Sequence, residues 1–164
     1  TDPDGKTIVV NQQGLLENQS LTGELLHFET DTGQWSLDSD GDEATRETGT
    51  SKEGNASLKL NSNTGSPNAS INVDLTSYNT LELYAFEDAG SGSWTLDIGG
   101  NQKINESDND GQTWNKFQVD VSDIEGSNEI KITCKNGATV NFDSGNLFAP
   151  SEVSKTIDLG SGGS

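Results

Sequence analysis

The chain has 164 residues, about the length of one domain, and only 29% of them are hydrophobic. It carries 27 acidic residues against 9 basic ones, which gives a formal net charge of −18. Such a charge repels nucleic-acid phosphates and anionic lipid head groups, so nucleic acid is not an expected partner. No stretch approaches the roughly 20 apolar residues that span a bilayer, so membrane insertion is not expected. The acid excess is typical of proteins that work in high salt.

The two ends of the chain differ from its centre. Residues 7–10 (TIVV) and 153–159 (VSKTIDL) each carry one strand-like run, and the chain ends in the Gly/Ser composition of flexible tails. We therefore predict an N-terminal extension with one strand over residues 1–24, and a C-terminal strand with a flexible tail over 151–164. The two terminal strands are expected to pair with each other or to be exchanged with a neighbouring subunit.

The central part, residues 25–150, alternates apolar and polar residues with a period of two, and turn-forming Gly, Asn, Asp and Ser clusters separate the runs. Residues 15–26 come nearest to helical spacing, but Gly23 interrupts them. Short strands with one polar face predict an all-β fold, an antiparallel β-sandwich. The alternating runs are Leu58–Leu60, Ile71–Leu75, Leu81–Ala85, Trp94–Ile98, Phe117–Val121, Ile130–Cys134 and Val140–Phe142.

Residues suited to catalysis are scarce. Cys134 is the only cysteine, and its alternation with Ile130 and Ile132 predicts a buried apolar side chain. His27 is the only histidine, and no serine or cysteine lies in a nucleophile motif. Paired carboxylates can hydrolyse glycosides, but no spacing singles out a pair. We therefore expect that the protein is not an enzyme.

The stretch DSDGDEATRE from Asp38 is rich in acids and raises the question of calcium. An EF-hand loop starting there would have acids at its first, third and fifth positions, as Asp38, Asp40 and Asp42 provide. It would then need Gly at the sixth position and Glu at the twelfth, where the chain has Glu43 and Gly49. An EF-hand is therefore excluded, which leaves a smaller calcium turn or a solvated acidic loop.

A series of motifs follows Leu26 in a fixed order. They are Phe-Glu, Gly-x-Trp, Gly-x-x-Ser-Leu, Asp-Leu-x-x-Tyr, a Trp that opens a later strand, and an Asp in the last strand. This order resembles the galactose-binding-like jelly-roll domains found as carbohydrate-binding modules beside glycoside hydrolases. One departure is Ser144-Gly145, which looks inserted after that Asp. The matching residues are Phe28, Glu29, Gly33, Trp35, Gly54, Ser57, Leu58, Asp74, Leu75, Tyr78, Trp114 and Asp143, within residues 26–149.

The resemblance implies a jelly-roll β-sandwich and, in many such modules, a structural calcium ion. The positions that correspond to its ligands are Glu29, backbone oxygens in the loop 51–55, and Asp143, with Asp31 as an assisting carboxylate. A hard cation prefers such carboxylate and carbonyl oxygens. The alternative is a hydrogen-bonded pair of acids near the sheet edge, without metal.

Carbohydrate recognition is expected from side chains opposite the core. If Leu81 and Leu83 face inward, Tyr84 faces outward and offers a ring to the apolar face of a sugar. If the strands share one sheet, polar groups surround that ring. Trp35 and Trp114 match packing positions of the family, and Trp94 has core parity but could lie at a rim. The predicted carbohydrate-binding residues are Tyr84, Glu82, Asp97, Gln118, Asp120 and Lys131.

Two functions remain open at this point. The first is a non-catalytic binding module on an extracellular or virion surface, with a glycan or surface polysaccharide as partner and calcium as cofactor. The alternative is a structural subunit of a virion or surface filament from a halophilic system, assembled with copies of itself or with neighbouring subunits.

Overall fold

The computed structural model describes residues 7–8, 19–26, 28–29, 31–88, 90–107, 111–150 and 155–156. Within these residues the regular structure consists of β-strands, without a helix. The strands are β1 (Thr7–Ile8), β2 (Gln19–Leu26), β3 (Ser36–Asp38), β4 (Glu43–Glu47), β5 (Ser57–Asn61), β6 (Asn68–Asp74), β7 (Thr80–Glu87), β8 (Ser93–Ile98), β9 (Asn101–Ser107), β10 (Trp114–Asp120), β11 (Ser127–Lys135), β12 (Thr139–Pro150) and β13 (Lys155–Thr156).

The strands form two main antiparallel sheets around one apolar core. The large sheet has the order β10-β7-β12-β5-β4, with β2 paired to β12 beyond the part that β5 occupies. The small sheet has the order β3-β6-β11-β8-β9. The predicted all-β antiparallel β-sandwich is therefore confirmed. No described segment forms a helix of the length and apolarity needed to cross a bilayer.

The core follows the alternation in the sequence, because inward residues of both sheets are the apolar ones. Trp94 lies at its centre, with the rings of Phe117 and Phe142 edge-on at centroid distances of 4.9 and 5.1 Å. Its indole Nε1 donates a 2.7 Å hydrogen bond to Oε1 of the buried Glu87. Trp94 is thus a core residue and does not lie at a rim. Cys134 is buried as predicted.

The N-terminal part of the sandwich differs from the prediction. Residues 19–26 form β2, which pairs with β12, so the sheet begins before residue 25. The apolar residues of 15–26 come nearest to helical spacing, but residues 19–26 form a strand and not a helix. The terminal strands β1 and β13 do pair with each other, antiparallel, which is one of the two predicted arrangements. His27 lies outside the described residues.

A β-bulge in β12 accounts for the inserted Ser144-Gly145. Asp143 pairs with Tyr84 and Asn146 with Glu82, so β12 contains one more residue than β7 between these pairs. Ser144 has a left-handed backbone with φ of 52°. A Cβ atom at Gly145 would come within 2.6 Å of Leu26, so glycine allows β2 and β12 to pack closely.

Residues 39–42 of the acidic stretch form the turn between β3 and β4, and two of the carboxylates in this turn bind backbone amides. Asp42 Oδ2 accepts hydrogen bonds from the amides of residues 63, 64 and 65 at 2.6–3.0 Å, and Asp40 Oδ2 accepts one from Ser66 at 2.8 Å. These amides, Asn63 first, hold the pKa of Asp42 below its ordinary value. The stretch therefore anchors the loop 63–66. This role was not among the two predicted alternatives, a small calcium turn and a solvated acidic loop.

Candidate functional site

The outward side of the large sheet presents its side chains in rows, because directly paired residues point to the same face. We call it the outer face of the large sheet. On β7 and β10, Phe86 pairs with Trp114, Tyr84 with Lys116, Glu82 with Gln118, and Thr80 with Asp120. On β12, Asn141 pairs with Phe86 and with Lys59 of β5, which pairs with Thr45 of β4.

Four aromatic side chains of the described residues stand on this face, and one of them, Phe148, is the β12 partner of Thr80 at the far end of the rows. The rings of Phe86 and Trp114 lie 5.4 Å apart between centroids at a tilt of 51°, and both residues are half-buried. Tyr84 lies one row further along β7 and is also half-buried. The Nζ atom of Lys52, from the loop between β4 and β5, lies 4.8 Å from the centroid of the Tyr84 ring. The face therefore has an apolar area that continues to a ring with a cation above it.

Planar polar groups lie beside the rings. Asn141 Nδ2 donates to Glu47 Oε2 at 2.5 Å and to Ser57 Oγ at 2.9 Å. Lys59 Nζ lies 3.6 Å from a carboxylate oxygen of Glu43 and 3.5 Å from one of Glu47. These contacts hold amide, carboxylate and ammonium groups in fixed positions in the half of the sheet formed by β12, β5 and β4.

A pocket of about 390 Å³ lies at the opposite end of the rows, lined by residues that include Thr80, Gln118 and Asp120. Gln118 Nε2 donates to Glu82 Oε2 at 2.9 Å. Asp120 Oδ1 accepts hydrogen bonds from the hydroxyl and the amide of Ser122, and these hold its pKa below the ordinary value. Asp120 therefore stays ionised at neutral pH and offers a second carboxylate oxygen as an acceptor.

The predicted carbohydrate-binding residues divide between the two sides of the sandwich. Tyr84, Glu82, Gln118 and Asp120 lie on the outer face of the large sheet. Asp97 of β8 and Lys131 of β11 pair with each other in the small sheet. The condition that all these strands share one sheet is therefore wrong. Asp97 and Lys131 belong to the opposite outer surface.

Several members of this face were missed in the sequence. Phe86 has the same parity as Tyr84 in the run LELYAF, so alternation alone could have found it. Trp114 was assigned to packing, although its parity with Gln118 places it outward. Trp35, by contrast, is buried, and its Nε1 donates to Leu25 O at 2.7 Å. Lys52 lies in a loop, where no periodic signal exists.

A second group of acids lies at the loop 51–55. Asp143 is fully buried, and its Oδ2 accepts hydrogen bonds from the amides of Lys52 at 2.8 Å and Glu53 at 3.1 Å. Glu29 Oε2 accepts a 2.6 Å hydrogen bond from the Asn55 amide. Burial raises the pKa of Asp143, and the charge of Glu29 raises it further. Two carboxylates from distant parts of the chain therefore meet at one loop.

The oxygen atoms at the loop 51–55 meet the requirements of a hard cation only in part. Glu29, Asp143 and the loop 51–55 come together, and the contacts of the loop with both carboxylates are amide N–H donors. The mutual repulsion of two acids is what a divalent cation relieves. Asp31 Oδ1 instead accepts a hydrogen bond from the Gly33 amide within its own turn, at 2.8 Å. No group of three His, Cys, Asp or Glu side chains suited to a metal occurs among the described residues. Backbone carbonyls would have to complete the coordination.

Comparisons with known proteins give no match to a family model and none to a curated protein. Solved structures do match. A carbohydrate-binding module of family 61, TmCBM61, solved with β-1,4-galactotriose, has a TM-score of 0.59 at 14% identity, covering 75% of this chain and 90% of that one. The CBM22-1 xylan-binding domain of Xyn10C from Paenibacillus barcinonensis has a TM-score of 0.57 at 20% identity, covering 80% and 97%.

The chain has the fold of these carbohydrate-binding modules. The K3 cleaved adhesin domain of Lys-gingipain from Porphyromonas gingivalis shares it as well, with a TM-score of 0.58 at 14% identity, covering 77% of this chain and 98% of that one. The fold predicted from the resemblance is confirmed. At these identities the likeness concerns the fold.

Proposed function

We propose that the protein is a non-catalytic module that binds glycan on the outer face of the large sheet, at an extracellular surface. The observation that carries this proposal is the row of Phe86, Trp114 and Tyr84 beside fixed polar groups. Aromatic rings bury the apolar faces of sugar rings, while planar amides and carboxylates bind sugar hydroxyls. The modules with the same fold include one described as xylan-binding and one solved with a galactotriose, which supports the proposal.

The length of the face favours an oligosaccharide over a monosaccharide. The rows on β7 and β10 run from Phe86 and Trp114, past Tyr84, to the pocket at Asp120. Three steps of two residues along an antiparallel strand cover about 20 Å. A chain of several sugar units can contact such a face along its whole length, from the aromatic pair to the pocket.

Replacing Tyr84 with alanine is expected to weaken glycan binding about tenfold, which corresponds to the loss of one stacked ring of about 1.4 kcal/mol. The measurement is isothermal titration calorimetry against a panel of oligosaccharides that includes xylo- and β-1,4-galacto-oligosaccharides. Matched controls are Asp97→Asn and Lys131→Gln on the outer surface of the small sheet, and both should bind like the wild type.

Loss of binding in Asp97→Asn or Lys131→Gln, with Tyr84→Ala unchanged, would place the site on the small sheet. If the wild-type protein binds none of the panel at millimolar concentration, glycan binding is refuted for those sugars. The alternative of a virion or filament subunit stays a prediction, which the oligomeric state in light scattering tests.

Calcium is the second part of the proposal. Glu29, Asp143 and peptide oxygens of the loop 51–55 would hold it, and its charge would favour the ionised form of Asp143, whose pKa is raised by burial and further by the charge of Glu29. Because the pKa of Asp143 is raised in the folded state, its protonated form stabilises the fold when calcium is removed by a chelator. This contribution to stability is fully present below the ordinary pKa of 3.8 and is lost as the pH rises through the pKa of the folded state. Calcium should reverse this trend, since it binds the ionised carboxylate.

Calcium at about 100 times its Kd is expected to raise the melting temperature at pH 7 by roughly 5–10 °C over chelator, from about 2.7 kcal/mol of linkage. The measurement is differential scanning calorimetry in calcium and in EDTA. Asp143→Asn should lose the calcium-dependent rise, while the exposed Asp123→Asn should keep it. An equal melting temperature in both buffers for the wild type would refute the metal site.

A further inference from the structure

We infer that the glycan carries an anionic group, a uronic-acid carboxylate or a sulfate ester, on the sugar unit that contacts Tyr84. The inference rests on the proposed function and deepens it. It comes from two lysines, Lys52 and Lys116, which stand on either side of Tyr84 on the outer face of the large sheet. Only 9 of 164 residues are basic, so two beside one aromatic ring mark a distinct place on an acidic molecule.

Lys52 reaches Tyr84 from the side of β12. The amide of Lys52 is held by Asp143, and Asp143 is the β12 partner of Tyr84. The side chain then places its Nζ atom 4.8 Å from the centroid of the Tyr84 ring, a distance typical of a cation–π contact. The amide of Lys52 is therefore fixed, and the exposed ammonium group of this lysine lies beside Tyr84 on this face.

Lys116 lies on the other side of the ring. It is the direct cross-strand partner of Tyr84 on β10, and it is exposed. Side chains of directly paired antiparallel residues have Cβ atoms about 4.5–5.5 Å apart, so the stem of Lys116 runs beside the ring. An anion above Tyr84 can therefore be reached by both ammonium groups.

The charges of these lysines are available to a ligand, in contrast to that of Lys59. Lys59 lies between the carboxylates of Glu43 and Glu47, whereas among the described residues Lys52 and Lys116 form no ion pair. The acids nearest to Tyr84, on its own strand and on its β12 neighbour, accept hydrogen bonds from groups other than the ammonium groups of these lysines. Asp143 is buried on backbone amides, and Glu82 accepts a hydrogen bond from Gln118.

The net charge of the chain does not exclude such a ligand. Exposed charges farther away than a Debye length, about 8 Å at 0.15 M salt, are largely screened, while contacts within a site are screened much less. The two lysines therefore offset the charge of the neighbouring Glu82 at Tyr84, and the more distant acids slow association at low salt. A neutral sugar would offer these ammonium groups only hydroxyl acceptors, whereas an anionic sugar adds charge-assisted hydrogen bonds.

The test compares acidic glycans with neutral glycans of the same backbone by isothermal titration calorimetry. The pairs are homogalacturonan and its carboxyl-reduced form, glucuronoxylan and unsubstituted xylan, and sulfated and desulfated galactan. In at least one pair the acidic member should bind about tenfold more tightly at 0.1 M salt, and the difference should shrink at 1 M. The first two pairs report on carboxylate and the third on sulfate.

Lys52→Gln and Lys116→Gln should each weaken binding of that acidic glycan about fivefold and binding of its neutral form less than twofold. The exposed Lys135→Gln, at the end of β11 in the small sheet, is the matched control and should bind like the wild type. If the neutral member of every pair binds as tightly as the acidic one, the inference is wrong and the proposed function stands. If no member of any pair binds, both are refuted for these backbones.

Discussion

Replacing Trp94 with alanine should lower the free energy of unfolding by about 4 kcal/mol, which lies within the range measured when large aromatic residues in protein cores are replaced with alanine. Trp94 is fully buried, lies edge-on to Phe117 and Phe142, and donates its indole N–H to the buried Glu87. The substitution opens a cavity between the sheets and removes that donor from Glu87. For a chain of this length the melting temperature should fall by about 10 °C.

Trp94→Phe separates the two contributions. Phenylalanine retains most of the packing but removes the hydrogen bond to Glu87, so the loss should be smaller, about 2 kcal/mol. Urea titration followed by intrinsic fluorescence and by circular dichroism measures both variants. A loss below about 1 kcal/mol for Trp94→Ala would mean that Trp94 is not a core residue.

Trp114→Ala is the matched control, because the same residue type lies on the outer face of the large sheet. Trp114 is half-buried, and its ring packs against that of Phe86. Its removal should therefore lower the free energy of unfolding by only about 1 kcal/mol. Its removal should weaken glycan binding about tenfold, whereas Trp94→Phe should leave binding unchanged where the fold is intact. Equal effects of the two tryptophans on stability would contradict this division between core and face.

Alternation in the sequence was sufficient to predict the fold class and most of the core. Leu81, Leu83 and Ala85 are buried, and Tyr84 between them faces outward, because successive side chains of a strand point to opposite faces. Parity also placed Cys134 inside. This information is local to each strand, and it needs no knowledge of the neighbouring strands.

Parity cannot say which strands share a sheet, and that is why the predicted site was only partly assembled. Asp97 and Lys131 have outward parity, but β8 and β11 pair with each other in the small sheet. Strand order depends on contacts between residues far apart in sequence, which a two-residue period does not encode. The resemblance to jelly-roll modules implied the architecture without settling the place of each outward residue.

Strand β2 and the loop contacts had no local signal of their own. The sequence of β2, QSLTGELL, contains Gly23 and few β-branched residues, and its conformation follows from pairing with β12. Similarly, Asp42 gave no sign that it binds the amides of the loop 63–66, and Lys52 gave none that it lies over Tyr84. Such contacts join residues far apart in the sequence, so local patterns do not reveal them.

Glu29 and Asp143 meet at the loop 51–55, and the second large effect is expected there, at Gly54. Gly54 has a φ of 63°, and a Cβ atom there would overlap the carboxylate of Glu29. Gly54→Ala should therefore lower the free energy of unfolding by about 1–2 kcal/mol from the left-handed backbone, with a further loss from displacement of Glu29. It should also abolish the calcium-dependent rise in melting temperature, because Glu29 can no longer reach the loop.

Gly33→Ala is the control that isolates the contact with Glu29. Gly33 has a φ of 60°, close to that of Gly54, but no atom lies within 4 Å of the position its Cβ would take. The free energy of unfolding of this variant should fall by the same 1–2 kcal/mol because of backbone strain, which corresponds to about 2–8 °C in melting temperature, and it should retain the response to calcium. Calorimetry of both variants in calcium and in EDTA gives the comparison. If Gly54→Ala keeps the calcium response, Glu29 is not a ligand. If both variants melt alike in both buffers, the carboxylate of Glu29 contributes nothing beyond the backbone conformation of the loop.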